Sequence, residues 1–184
     1  MRLFIAINIP NEIKENLGRQ AADLARRIDA TGIKWVEPEL FHLTLRFLGE
    51  LPEHQVEPLA GQMTVAAKDI RPFSISFDKA GCFPPHGSPR VLWFGMKEGK
   101  EQAETAGKAF TLIGPQEETE RAFQAHLTIA RVKDPRSSRF IRPVLEKWIF
   151  TPPPPFEVRS IDLMQSVPSR TGPAYSLVQS VPLH

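Results

Sequence analysis

The sequence has one cysteine and one tyrosine, and no apolar run approaches the roughly 18 residues of a membrane-spanning helix. A single thiol, Cys82, excludes an internal disulfide and fits a reducing compartment. Cys82 stands in Ala80-Gly81-Cys82-Phe83-Pro84 without a second cysteine or a neighbouring base, so it reads as a small buried residue rather than a nucleophile. Neither sign of charge dominates: 23 Lys+Arg oppose 21 Asp+Glu for a formal net charge of +2, which does not announce a nucleic-acid binder. Glycine forms no phosphate loop. Gly95, Gly99 and Gly107 fit neither a Walker nor a dinucleotide pattern. The apolar start, Met1 to Pro10, is too short for a signal peptide and lacks a small-residue cleavage site, so it reads as a buried strand. The resulting expectation is a cytoplasmic protein with no membrane partner.

What is present is an ordinary globular mix, 41% hydrophobic and 24% charged over 184 residues, a length that fits one domain. Proline is abundant at 18 residues, which favours rigid turns over long helices. Arg2 to Asn8 reads as a strand. Ile13, Leu17, Ala21, Leu24 and Ile28 then line one helix face after Pro10, and Gly32 closes that segment. Trp35-Val36 begins an edge strand, and Phe41 to Leu48 is a clear one. A helix from Pro52 places Val56, Leu59, Ala60, Met63 and Ala67 inward. Strands over Phe73 to Lys79 and Arg90 to Met96 follow, joined by a Pro/Gly loop.

In the second half, a helix over Lys100 to Ile113 precedes a strand from His126 to Val132. A helix from Arg136 to Trp148 stops at Pro152 to Pro155. The last strands, Phe156 to Ser166 and Ala174 to Val181, are linked by Pro168-Ser169-Arg170-Thr171-Gly172-Pro173. Irregular alternation with hairpin-like pairs predicts an α+β fold with mainly antiparallel sheets. No flexible linker divides the chain, so residues 1–184 are expected to form a single domain, with any two lobes intertwined.

The informative feature is an internal echo. His42-Leu43-Thr44-Leu45 and His126-Leu127-Thr128-Ile129 are both His-apolar-Thr-apolar, and they lie 84 residues apart, close to half the chain. On a strand, His and Thr share one face while the apolar residues share the other, which belongs on a core. One tetrad alone fits a core histidine beside a strand-forming threonine. Two, with matched parity and near half-chain spacing, favour a shared polar cleft around a pseudo-twofold axis. There one neutral imidazole accepts a proton and one charged imidazole donates one. Threonine hydroxyls and an arginine suit the oxygens of a phosphoryl transition state. Arg46 shares the parity of His42 and Thr44; Arg131 lies five residues beyond His126.

Metal binding competes weakly, since the chain has no His-x-His, His-x-x-x-His or cysteine pair and no acidic residue within either tetrad. No metal or cofactor is expected. His54, His86 and the terminal His184 read as solvent-exposed. Arg131, Lys133, Arg136, Arg139 and Arg142 form the densest basic group, read chiefly as a solvated surface. Phe4, Trp35, Phe83, Trp93 and Tyr175 are candidates for stacking on a base, with Phe4, Tyr175 and Trp35 carried forward.

These tetrads resemble the signatures of the 2H phosphoesterase superfamily, in particular its RNA 2′,3′-cyclic phosphodiesterase branch, long called RNA 2′–5′ ligases. The likeness spans nearly the whole chain. Arg2-Leu3-Phe4-Ile5-Ala6-Ile7 resembles the first strand of the family, and His42 to Glu50 its first signature. Arg90 to Gly95 resembles the middle strand, and His126 to Arg131 the second signature with its closing arginine. Leu163 to Ser166 and Gly172 to Tyr175 resemble the C-terminal hairpin. The family often has proline before the second histidine, where this chain has Ala125.

The resemblance implies two pseudo-symmetric lobes of antiparallel sheets flanked by helices, with both tetrads on the floor of a V-shaped cleft. It implies a hydrolase that opens RNA or nucleotide 2′,3′-cyclic phosphates to 2′-phosphomonoesters without metal, and a minor reverse 2′–5′ ligation. His126 would serve as base and His42 as acid. Thr44, Thr128 and Arg131 would hold phosphate oxygens, and Arg46 would line the cleft mouth. The expected partners are RNA ends or nucleotides bearing the cyclic phosphate, with the protein a monomer. A small cyclic nucleotide or an ADP-ribose cyclic phosphate would use the same chemistry. The rival of another class is a non-catalytic nucleotide- or RNA-binding module using the same cleft.

Overall fold

A computed structural model describes residues 1–115, 124–169 and 172–184. Arg170 and Thr171 of the expected last connection lie outside the described residues. Ten strands and four α-helices alternate among the described residues: β1 (Arg2–Asn8), α1 (Asn11–Ile28), β2 (Ile33–Trp35), β3 (His42–Glu50), α2 (Val56–Ala67), β4 (Phe73–Ile75), β5 (Phe77–Phe83), β6 (Val91–Met96), α3 (Lys100–Phe110), β7 (Leu127–Val132), α4 (Ile141–Lys147), β8 (Phe156–Val158), β9 (Ser160–Pro168) and β10 (Pro173–Pro182). The α+β expectation holds. All paired strands run antiparallel, in one sheet of order β10-β9-β1-β3 and a second of order β2-β7-β6-β5. The first sheet joins the two ends of the chain, and the second takes β2 from the N-terminal half. No helix among the described residues is long and apolar enough to cross a membrane.

Two expected strands are each broken in the middle. Phe73 to Lys79 divides at Ser76 into β4 and β5, and Phe156 to Ser166 divides at Arg159 into β8 and β9. The breaks have one cause: β4 and β8 leave their sheets and pair with each other, Phe73 opposite Val158 and Ile75 opposite Phe156. β5 and β9 stay in the second and first sheets, so this short ribbon ties the two sheets together.

The helix expected over Arg136 to Trp148 is α-helical only at Ile141–Lys147, preceded by a 3-10 turn at Pro135–Phe140. Pro143 explains the late start. In mid-helix it would lack an N–H and clash with the carbonyl four residues back, so it is accommodated in the first turn.

The helix α1 follows its pattern: Ile13, Leu17, Ala21, Leu24 and Ile28 are all buried. Gly18 on the same helix has a positional role. A Cβ there would come 2.6 Å from Pro38 Cγ, so only glycine lets the 3-10 turn Pro38–Leu40 rest on α1. Lys14 Nζ donates to the Glu39 carbonyl at 2.9 Å and secures the same turn. That turn leads directly into His42.

Candidate active site

The first tetrad lies on β3 and the second runs into β7 from His126, which immediately precedes that strand, and in both the histidine is oriented by the backbone just before it. His42 Nδ1 lies 2.7 Å from the Leu40 carbonyl, and His126 Nδ1 lies 2.7 Å from the Gln124 carbonyl. A carbonyl only accepts, so Nδ1 carries the proton in each case and the reactive position is Nε2. His42 Nε2 is 2.8 Å from Thr44 Oγ1. No corresponding bond joins His126 to Thr128. The Leu40 carbonyl is held by the turn packed on Gly18. On the other side, the Ala125 N–H donates to Glu104 Oε1 on α3 at 3.4 Å. Proline at that position could not make this bond.

Each imidazole is also met edge-on by an aromatic ring from its own sheet. Tyr175 stands at 5.1 Å and 88° to His42, with Phe4 at 4.9 Å on the same side. Phe83 stands at 5.1 Å and 86° to His126. Burial pushes the His42 imidazole below its ordinary pKa; the Leu40 carbonyl opposes this and the Lys14 charge adds to it. Burial lowers His126 in the same way, with the Gln124 carbonyl opposing and Arg131 adding. Burial pushes the Tyr175 hydroxyl up, against the pull of Arg131 and Arg2. Arg131, on the second sheet, therefore lies within electrostatic reach of both His126 and the ring that meets His42. The strands β3 and β7 are themselves in contact.

A β-bulge recurs at the same point of each tetrad. In β3, Ala6 opposes Thr44 and Ile5 opposes Arg46, so Leu45 is extra. In β7, Trp93 opposes Thr128 and Leu92 opposes Ala130, so Ile129 is extra. A bulge reverses side-chain parity beyond it. Arg131, an odd five residues past His126, is thereby returned to the face of His126 and Thr128.

Arg46 is a correction. Its parity with His42 ends at Leu45, and it falls opposite core residue Ile5, only 8% exposed, with Nη2 donating to the Pro115 carbonyl at 2.6 Å. It does not line a cleft mouth. Trp35 is a second correction: it pairs with Ala130 on the side of buried Leu92 and packs on the main core.

The same reversal brings forward a residue that alternation had concealed. Phe47 opposes Phe4, shares the face of His42 and is 67% exposed, with the Phe4 ring 6.3 Å away. Offset from its histidine identifies it, since Phe47 follows His42 as Arg131 follows His126. Asn8 and Asp162 were also missed. Asn8, opposite His42, donates to buried Asp162 at 2.7 Å, and Asp162 accepts from Ser180 at 2.5 Å.

A cleft of about 410 Å³ opens beside His126, lined by Lys79, Phe83, Trp93, Lys100, Glu104 and Gln124 among others. Among the described residues, no group of three or more His, Cys, Asp or Glu side chains is placed to hold a metal ion. Cys82 is buried and its thiol is pushed up by that burial, as expected of an inert residue. His54, His86 and His184 are exposed. In the basic group, Arg136 pairs with Asp134 and Arg142 donates to the carbonyls of Pro84 and Gly87.

The family model described as LigT like Phosphoesterase matches residues 7–93. The RNA 2′,3′-cyclic phosphodiesterase of Archaeoglobus fulgidus is 34% identical over 176 residues, covering 95% of this chain and 96% of that one. The protein of the same name from Methanocaldococcus jannaschii is 31% identical over 181 residues, covering 97% and 99%. The fold matches that of E. coli LigT complexed with NADP+, with a TM-score of 0.74 over 99% of this chain and 96% of that one at 23% identity. The chain belongs to the LigT-like 2H phosphoesterase family.

Proposed function

We propose that the protein hydrolyses RNA or nucleotide 2′,3′-cyclic phosphates to 2′-phosphomonoesters, with its two histidines as base and acid and no metal required. The observation that carries this is the duplicated histidine, each fixed with Nδ1 on a carbonyl so that Nε2 is the position for proton transfer, bound to Thr44 in the case of His42. The relatives at 34% and 31% identity bear the name of this activity.

His126 Nε2, which is not hydrogen-bonded to Thr128, takes a proton from water as the water oxygen attacks phosphorus. The bond from phosphorus to the 3′-oxygen breaks, and His42, charged at Nε2, gives that oxygen its proton. The products are a 3′-hydroxyl and a 2′-phosphate. Thr44 steadies the Nε2–H of His42. Thr128 and Arg131 stabilise the non-bridging oxygens as charge builds on them. Phe47 offers stacking surface for the base, beside Tyr175; Phe4, only 3% exposed, backs these rings and is corrected from stacking candidate to packing residue. If the 5′-hydroxyl of a second RNA replaces water, the same steps join the ends through a 2′–5′ bond, as a minor reaction.

Incubation with adenosine 2′,3′-cyclic phosphate in excess EDTA tests the reading. The expected product is adenosine 2′-phosphate. Tight binding without turnover would instead make the protein a nucleotide-binding module.

A further inference from the structure

The cleft beside His126 is larger than a cyclic phosphate needs, and its walls do not match one alone. Its floor is Trp93, whose ring lies flat on two glycines. A Cβ at Gly81 would overlap the indole, and one at Gly95 would sit 2.9 Å from Trp93 Cζ3. Gly95 also lets the Lys79 stem lie across the strand, since the same Cβ would come 3.2 Å from Lys79 Cγ. The trough therefore exists because two strand positions lack side chains. Two ammonium groups, Lys79 from β5 and Lys100 from the start of α3, line it along with His126. Lys100 forms an ion pair at 3.9 Å with Glu104, which also lines the trough and accepts from the Ala125 N–H, so an anion bound there would compete with that carboxylate for Lys100. Among the described residues the buried Trp93 indole N–H has no partner.

A 2′,3′-cyclic phosphate is the 3′ terminus of a strand, so any further phosphate can be attached only on the 5′ side of the reacting nucleoside. We infer that this trough is a subsite for that second phosphate, held by Lys79 and Lys100. The inference rests on the cyclic-phosphate reading of the site and narrows it: the preferred substrates carry a 5′-phosphate or a 5′-linked nucleotide. In an oligonucleotide the preceding residue then lies over Trp93.

Titration calorimetry with adenosine 2′-phosphate and adenosine 2′,5′-bisphosphate reads the subsite without relying on turnover. The bisphosphate is expected to bind about tenfold more tightly, an advantage that weakens with added salt. The Lys79→Met/Lys100→Met double variant should bring the two affinities together. It should leave hydrolysis of adenosine 2′,3′-cyclic phosphate, which has no 5′-phosphate, unchanged, and Lys79→Arg should keep the preference. Equal affinities in the wild-type protein, or a preference that survives in the double variant, would overturn the inference. Absence of turnover would count against the proposed reaction, while the affinity ratio would still decide the subsite.

Discussion

The surroundings of His42 and His126 are built on one plan and finished differently. Both rings rest Nδ1 on the carbonyl two residues back, both have threonine two residues on, and both strands bulge at the next position. At the fifth position after the histidine the plans part: the first strand presents exposed Phe47 and the second presents Arg131. His42 is closed in by Phe4, Tyr175 and its own threonine, whereas His126 opens onto a trough lined by lysines. In the proposed reaction the repeated motif supplies two matched proton-transfer groups. Under the same proposal the residues just beyond the bulges give one side a surface for a base and the other a grip on charge.

Removing either imidazole should break the comparison most severely. His42→Ala and His126→Ala are each expected to lower kcat by about a thousandfold, within the usual range for a lost acid or base, with the fold intact by circular dichroism. The fifth positions should separate by kinetic parameter. Arg131→Met should cost about a hundredfold, chiefly in kcat, because the charge it meets grows in the transition state. Phe47→Ala should raise KM by about tenfold and leave kcat nearly unchanged, because stacking is felt equally before and during reaction. Gly18→Val acts at one remove. Forcing a side chain against Pro38 should cost about 1–3 kcal/mol of stability, read as a lower denaturation midpoint.

Alternation and turn residues made most of the fold legible. β1 and α1 were readable because one is a short apolar run and the other has helical spacing ended by turn residues. Sheet exchange was not readable, since nothing in Phe73 to Lys79 reveals that Phe73–Ile75 pairs with Phe156–Val158 instead of its own neighbours. The shortened α4 did carry a signal in Pro143. Within the site, His42, Thr44, His126 and Thr128 precede the bulges, so simple parity placed them correctly. Arg46 was misplaced because parity was carried through Leu45, where an extra residue leaves no mark in composition, and Trp35 because an aromatic side chain alone does not reveal whether it packs on a core. Extending the echo to the fifth position would have paired Phe47 with Arg131.

The most direct test is the pH dependence of kcat/KM for the wild-type enzyme and the two single-histidine variants. Burial disfavours the charged imidazole at both positions, so both titrations shift below their ordinary value near pH 6.5 and the wild-type profile should be a bell centred below that pH. His126→Ala should lose the acidic limb, because the base that must be neutral is gone. His42→Ala should lose the alkaline limb, because the acid that must be charged is gone. A full bell with wild-type turnover in either variant, or loss of the same limb in both, would contradict the division of labour between two matched histidines.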